Sequence, residues 1–243
     1  MNEVPRLRMF AGPNGSGKTT IKNGFDKPAD WFGIYINPDE LEKSIRDQGF
    51  VSLASFSLKI TTEEVRDYFA NSALLRLHGL DGSSALICVE KQCIFFPALE
   101  MNSYIASVLS DYLRRKALEA RQSFSFETVM SSPDKIELLK TAQAQGYRTY
   151  LYYVATESPE INVARVNVRV NSGGHSVPRE KVIARYYRSL ALLLEAIRCT
   201  NRAFLFDTSE SESWYFAEIT NGLVLELKSE DYPEWFQSVW SDF

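Results

Sequence analysis

Sulfur and imidazole are scarce in this chain, which has three cysteines (Cys88, Cys93, Cys199) and two histidines (His78, His175) in 243 residues. An odd cysteine set without Cys-x-x-Cys spacing excludes a disulfide framework, and so few soft ligands exclude a structural zinc site. Long apolar runs are missing as well. Nothing approaches the ~18 residues of a membrane span, and the most apolar stretch, Leu190 to Ile197, is short and contains Glu195. The N-terminal Met1-Asn2-Glu3-Val4-Pro5-Arg6 leads into a strand pattern with no apolar signal region, so a reducing cytoplasm is expected rather than export. Positive charge does not dominate: 27 Lys plus Arg face 31 Asp plus Glu, a net charge of -4. That balance lacks the footprint of a nucleic-acid binder, and neither nucleic acid nor membrane is expected as a partner.

With 45% hydrophobic and 24% charged residues, the chain has enough material for a buried core. Short β-rich runs alternate with helical patterns, which predicts an α/β fold around a mainly parallel sheet. Strands are expected at 6–11, 32–36, 123–127, 149–155 and 203–207, with late antiparallel strands at 214–219 and 223–227. Helices are expected at 18–25, 38–48, 61–77, 102–120, 133–145, 159–170 and 178–198, several opening on Pro or a polar cap. The interval 49–101 breaks the alternation and reads as a helix-plus-hairpin insertion within one domain spanning 1–243. With Glu90 and Lys91 as a two-residue turn, Cys88 and Cys93 would face each other across the hairpin, although neither turn residue favours the positive φ required. The aromatic C-terminus, with Tyr232, Trp235, Phe236, Trp240 and Phe243, predicts an amphipathic helix packed on the body.

Gly12-Pro13-Asn14-Gly15-Ser16-Gly17-Lys18-Thr19 matches G-x-x-x-x-G-K-[ST], preceded by a strand pattern and continued by Thr20 and Ile21 as helix. Glycines let main-chain N–H groups turn around phosphate oxygens, the helix points its positive end at them, and Lys18 adds a mobile cation. Thr19 is the expected Mg²⁺ ligand of this P-loop NTPase fold, with ATP or GTP as co-substrate.

Asn37, Pro38, Asp39 and Glu40 follow the second strand, where open α/β sheets bind ligands. Asp39 is either a base that takes a proton from an attacking hydroxyl or a first-turn carboxylate favoured by the helix dipole. Glu127, closing the third strand next to Thr128, either grips a substrate hydroxyl or water-bridged Mg²⁺, or merely ends the strand. Between Arg165 and Arg188 six cations (Arg165, Arg169, Arg179, Lys181, Arg185, Arg188) meet one acid, Glu180. Residues 159–190 read as a basic helical lid hinged at Asn171-Ser172-Gly173-Gly174-His175, or as a solvated basic face. His175 is either a phosphate contact or polar surface. The hinge also mimics a transporter-ATPase signature, but a charged helix follows it rather than an apolar strand. No Asn-Lys-x-Asp base-recognition motif supports a GTPase switch.

Taken in order, GPNGSGKTT, INPDE, SFSFETVMSS, NSGGHSVP and ARYYRS resemble the zeta toxin family of P-loop kinases across the core but not across the insertion. The resemblance implies a Mg²⁺-dependent kinase for a small acceptor, UDP-N-acetylglucosamine in toxin members. It places the base on Asp39, substrate binding on Glu127 and Thr128, and lid cations on Arg169 and Arg185, while another lid arginine of the pattern falls near His175. It also implies a small antitoxin protein as a partner. The rival reading from another class is a nucleotide-binding regulatory protein with slow hydrolysis.

Overall fold

A computed structural model describes residues 3–97, 101–171 and 176–240. The chain divides into two compact units, one built from residues 1–31 and 125–243 and the other from 32–124. In chain order the first unit opens with β1 (Arg6–Ala11) and α1 (Lys18–Asn23). The second unit holds β2 (Ile34–Ile36), α2 (Pro38–Gln48), β3 (Phe50–Ser52), α3 (Thr62–Ala70), α4 (Ala73–Leu77), β4 (Cys88–Glu90), β5 (Cys93–Phe95) and α5 (Ser103–Glu119). The first unit resumes at β6 (Phe124–Thr128), then α6 (Asp134–Ala144), β7 (Arg148–Ala155), α7 (Pro159–Asn171), α8 (Arg179–Ala191) and α9 (Leu193–Arg198). It finishes with β8 (Arg202–Asp207), β9 (Trp214–Thr220), β10 (Val224–Leu227) and α10 (Glu234–Trp240).

In the first unit the strands lie in the order β10-β9-β8-β7-β1-β6. β1 pairs with β7 and β7 with β8 in parallel, whereas β9 and β10 add antiparallel strands, as the pattern predicts. The register explains the core, because alternate residues share a face. Phe10, Tyr152 and Phe204 sit opposite one another on adjacent strands, with ring centroids 4.7 and 4.9 Å apart, so cross-strand stacking fixes the alignment. On the opposite face Met9, Leu151 and Ala203 are fully buried. Strand order reverses around β1, the arrangement that opens a binding crevice beyond the carboxyl ends of parallel strands.

In the second unit α2, α3 and α4 all pack on the 17-residue α5, and β3, β5 and β4 form a small antiparallel sheet. The expected hairpin is present, but its turn is Lys91-Gln92, both at positive φ, rather than Glu90-Lys91. Glu90 therefore faces Cys93, and Cys88 faces Phe95, so the two thiols do not oppose each other; all three cysteines are free. β3 was not anticipated, since three residues are too short to show a period. The helix expected over 61–77 breaks at Asn71-Ser72, where the Ser72 hydroxyl accepts from Leu75 N–H and starts a new helix. Similarly, the helix expected over 178–198 is interrupted at Leu192, giving α8 and α9.

Candidate functional site

β1 delivers the chain into the glycine loop, and the loop's shape follows from close main-chain approaches. Gly12 has φ 144°, and a Cβ there would lie 2.0 Å from the Val154 carbonyl oxygen. Gly15, at φ 77°, would bring a Cβ to 2.7 Å from the Asn162 carbonyl oxygen. Any side chain at either position displaces main chain, so glycine is required twice for different neighbours. Gly12 N–H donates to the Thr128 carbonyl at 3.2 Å, which ties the loop entrance to the end of β6.

Lys18 reaches back over its own loop and donates to the carbonyls of Gly12 (2.9 Å) and Pro13 (2.8 Å). The Thr19 hydroxyl donates to Glu127 Oε2 at 2.8 Å, across 108 positions of sequence. Glu127 is buried at the end of β6, so the strand presents its carboxylate directly to the start of α1. A hydroxyl whose proton is taken by a carboxylate keeps its oxygen lone pairs for a hard cation, so Thr19 would hold Mg²⁺. Gly17 is the N-cap of α1 and offers its first-turn N–H groups no side-chain cap.

Two elements support the loop from outside. Asn162, fully buried in the first turn of α7, donates from Nδ2 to the Asn14 carbonyl at 2.6 Å, and its Oδ1 accepts from the Thr156 hydroxyl. Thr208, immediately after β8, donates from Oγ1 to the Ser16 carbonyl at 2.8 Å. Arg165 then braces Thr208, donating to its hydroxyl at 3.2 Å and its carbonyl at 2.5 Å. Arg185 of α8 approaches Asn14 Oδ1 at 3.4 Å. Tyr186 beside it donates to the Thr156 carbonyl at 2.6 Å, and burial pushes its phenol well above the usual range, so it stays a neutral donor.

The residues expected from sequence therefore divide. Gly12 to Thr19, Glu127, Thr128 and Arg185 gather at the carboxyl ends of β1, β6 and β7. Thr20 is exposed on α1, and Arg169 is exposed on α7, one turn beyond Arg165. Thr128 accepts from Met130 N–H at 3.1 Å through its hydroxyl. Asp39 belongs to the second unit and is exposed in the first turn of α2, its N–H donating to the Asn37 side chain at 2.9 Å. Ser172 to His175, the expected hinge, lie outside the described residues. Among the described residues no group of three or more His, Cys, Asp or Glu is arranged to hold a metal, and no helix is long and apolar enough to cross a membrane.

Asn162 and Thr208 were not anticipated. Pro159, Asn162 and Val166 form the buried stripe of α7, so an Asn on an otherwise apolar helix face was the available signal. For Thr208 the signal was its position after a parallel strand, where ligand-facing groups collect.

Comparison with known proteins fits this geometry. A family model described as Zeta toxin matches residues 100–208. Residues 100–208 are similar to the zeta toxin family. The match contains Glu127, Asn162, Arg169, Arg185 and Thr208 but begins after the glycine loop and after Asp39. A Haemophilus influenzae protein without an assigned function is 36% identical over 70 residues, which cover 29% of this chain and 50% of that protein. Among solved structures, an AvrRxo1-ORF1:AvrRxo1-ORF2 complex with sulphate ions superposes with a TM-score of 0.59 at 15% identity, covering 98% of this chain and 64% of that one. The same complex with ATP gives 0.56 at 16% identity, again covering 98% and 64%. The matches thus span half the length of the Haemophilus relative and under two thirds of the AvrRxo1 chain. At such identities the superposition shows a shared fold alone: a mostly parallel sheet flanked by helices.

Proposed function

We propose that the protein is a Mg²⁺-dependent kinase that moves the γ-phosphoryl of ATP or GTP to a hydroxyl of a small acceptor, with a UDP-sugar as the leading class. The observation that carries the reading is the loop itself: Lys18 folded over a glycine cradle, with the Thr19 hydroxyl bonded to Glu127 at 2.8 Å. Lys18 neutralises charge between the β- and γ-phosphates, and Mg²⁺, when bound, supplies further neutralisation of the phosphate oxygens. Asp39 is given the role of base on the resemblance of its INPDE run: it accepts the proton as the acceptor oxygen forms its bond to phosphorus and the bond to the leaving diphosphate oxygen breaks. Arg169 and Arg185 offset charge on the transferring group. Glu127 and Thr128 receive the acceptor. By resemblance to the zeta toxin family, the proposal includes a small antitoxin protein as a partner.

The test is incubation with Mg²⁺ and labelled ATP or GTP against a panel of hydroxyl metabolites that includes UDP-sugars, with products read by mass. A phosphorylated acceptor that disappears in Lys18→Ala supports the reading. Nucleotide binding with only slow hydrolysis across the panel favours the regulatory protein instead.

A further inference from the structure

The glycine loop is shaped from outside by two side chains that no motif contains. Asn162 and Thr208 lie 148 and 192 positions from the carbonyls they hold, and both are buried, Asn162 completely and Thr208 to 7% exposure. A peptide unit is planar and trans, so a carbonyl and the N–H of the next residue point in opposite directions. Bonding the Asn14 carbonyl outward to Asn162 turns the Gly15 N–H inward. Bonding the Ser16 carbonyl outward to Thr208 does the same for the Gly17 N–H. These are two of the donors a phosphate would meet in such a loop.

Each clamp is itself held. Asn162 accepts from Thr156, which leaves its amide nitrogen facing Asn14; Thr156 closes β7 at the neighbouring strand end. The Thr208 hydroxyl accepts from Arg165 at 3.2 Å, which turns its single proton toward the opposite side, where the Ser16 carbonyl at 2.8 Å is nearer than the Ala155 carbonyl at 3.3 Å. The same neighbours set the glycine contacts: Asn162 main chain is what a Gly15 Cβ would strike, and Thr208 Cγ2 lies 3.7 Å from a Cβ at Gly17. Asn162, Arg165 and Arg169 follow one another at i, i+3 and i+7 along α7, so one helix carries the clamp, its brace and the proposed lid cation.

We infer that Asn162 and Thr208 are positioning residues that aim the Gly15 and Gly17 N–H groups at the nucleotide's phosphates, with Arg165 locking the Thr208 hydroxyl. This rests on the phosphate-loop reading above. Preorganised donors matter because turning peptide units on binding would subtract from affinity.

The discriminating pair is Thr208→Val, which keeps the shape and removes the hydroxyl, and Thr208→Ser, which keeps the hydroxyl. Binding of a fluorescent ATP analogue is titrated for both, for wild type and for Lys18→Ala, alongside melting temperature. Thr208→Val is expected to weaken binding about tenfold, the weight of one well-placed hydrogen bond, with Thr208→Ser restoring most of it and melting little changed. Asn162→Asp keeps the acceptor for Thr156 and removes the donor to Asn14, and it is expected to weaken the analogue at least as much. Wild-type affinity in Thr208→Val and Asn162→Asp together with lost binding in Lys18→Ala overturns the clamp and leaves the phosphate loop standing. Equal loss in Thr208→Val and Thr208→Ser with lowered melting reduces Thr208 to packing. Normal binding in Lys18→Ala brings down both readings.

Discussion

Two clusters of polar side chains, one around the glycine loop and one between α3 and α5, give their bonds in opposite ways. In the first, Asn162, Thr208 and Lys18 give their bonds to main-chain carbonyls of a single loop. In the second, side chains bond one another: the Tyr68 hydroxyl donates to Asp111, Arg114 and Arg115 donate to the same carboxylate at 3.2 and 3.0 Å, and Lys116 donates to Glu64 at 3.0 Å. A side chain that holds a loop carbonyl decides where the partner N–H points, which matters to a ligand. A side chain that holds another side chain joins two helices, here α3 and α5, which matters to stability. Polar substitutions around the glycine loop should therefore change binding before melting, and those in the α3–α5 cluster should change melting alone.

The largest expected effect would break that division, because Asp39 lies in the second unit and is proposed as the base. Asp39→Asn keeps shape and first-turn position but cannot take a proton, so transfer should fall ~10²- to 10⁴-fold while ATP affinity and melting hold. Near-normal transfer in that variant would return Asp39 to the role of a first-turn carboxylate, and the second unit would then be wholly structural. Next in size, Arg169→Ala should lower transfer about 10²-fold with a much smaller change in ATP affinity, since a lid cation acts chiefly when charge moves. Equal, small changes in both quantities would leave Arg169 as surface charge.

The same division explains how far the sequence could be read. β1 is predicted to the residue, and α2 likewise, because an alternating apolar run and a Pro-led, Gly-ended amphipathic helix are local signals. The phosphate loop is legible for the same reason: its glycines, lysine and threonine are contiguous. Asn162 and Thr208 are not, since their partners are 148 and 192 residues away and each looks, in its own neighbourhood, like an ordinary helix or strand-end residue. The Lys91-Gln92 turn shows a different failure. Neither residue advertises positive φ, and the strands' pairing imposes it.

Asp111 gives the next prediction. Burial pushes its carboxyl up, but Arg114, Tyr68 and Arg115 together outweigh burial and hold it at about 2. A carboxyl held below its unfolded value of ~3.9 contributes stability in full above that pH and loses it as pH falls toward 2, worth about 2–3 kcal/mol in all. Chemical denaturation followed from pH 5 to pH 2 should show that loss in wild type, and Asp111→Asn should be less stable at pH 5 yet flatter across the window. An equally steep profile in Asp111→Asn would place the acid sensitivity elsewhere.

The smallest expected effect is the cleanest test of the comparison. Tyr68 is half-buried; burial and then Asp111 push its phenol well above its ordinary range, so at every working pH it is a neutral donor to that carboxylate. Tyr68→Phe removes the hydroxyl and leaves the ring on Tyr112, whose centroid lies 5.2 Å away. Asp111 keeps both arginines, so no buried charge is stranded, and the cost should be about 1 kcal/mol, seen as a small fall in melting temperature. ATP binding and transfer should not change. Because Tyr68 is one of the groups holding the Asp111 carboxyl down, its loss should also bring that carboxyl closer to the unfolded value, and the acid loss of stability should shrink. A Tyr68→Phe variant that melts normally but binds ATP poorly would reverse the division between the units.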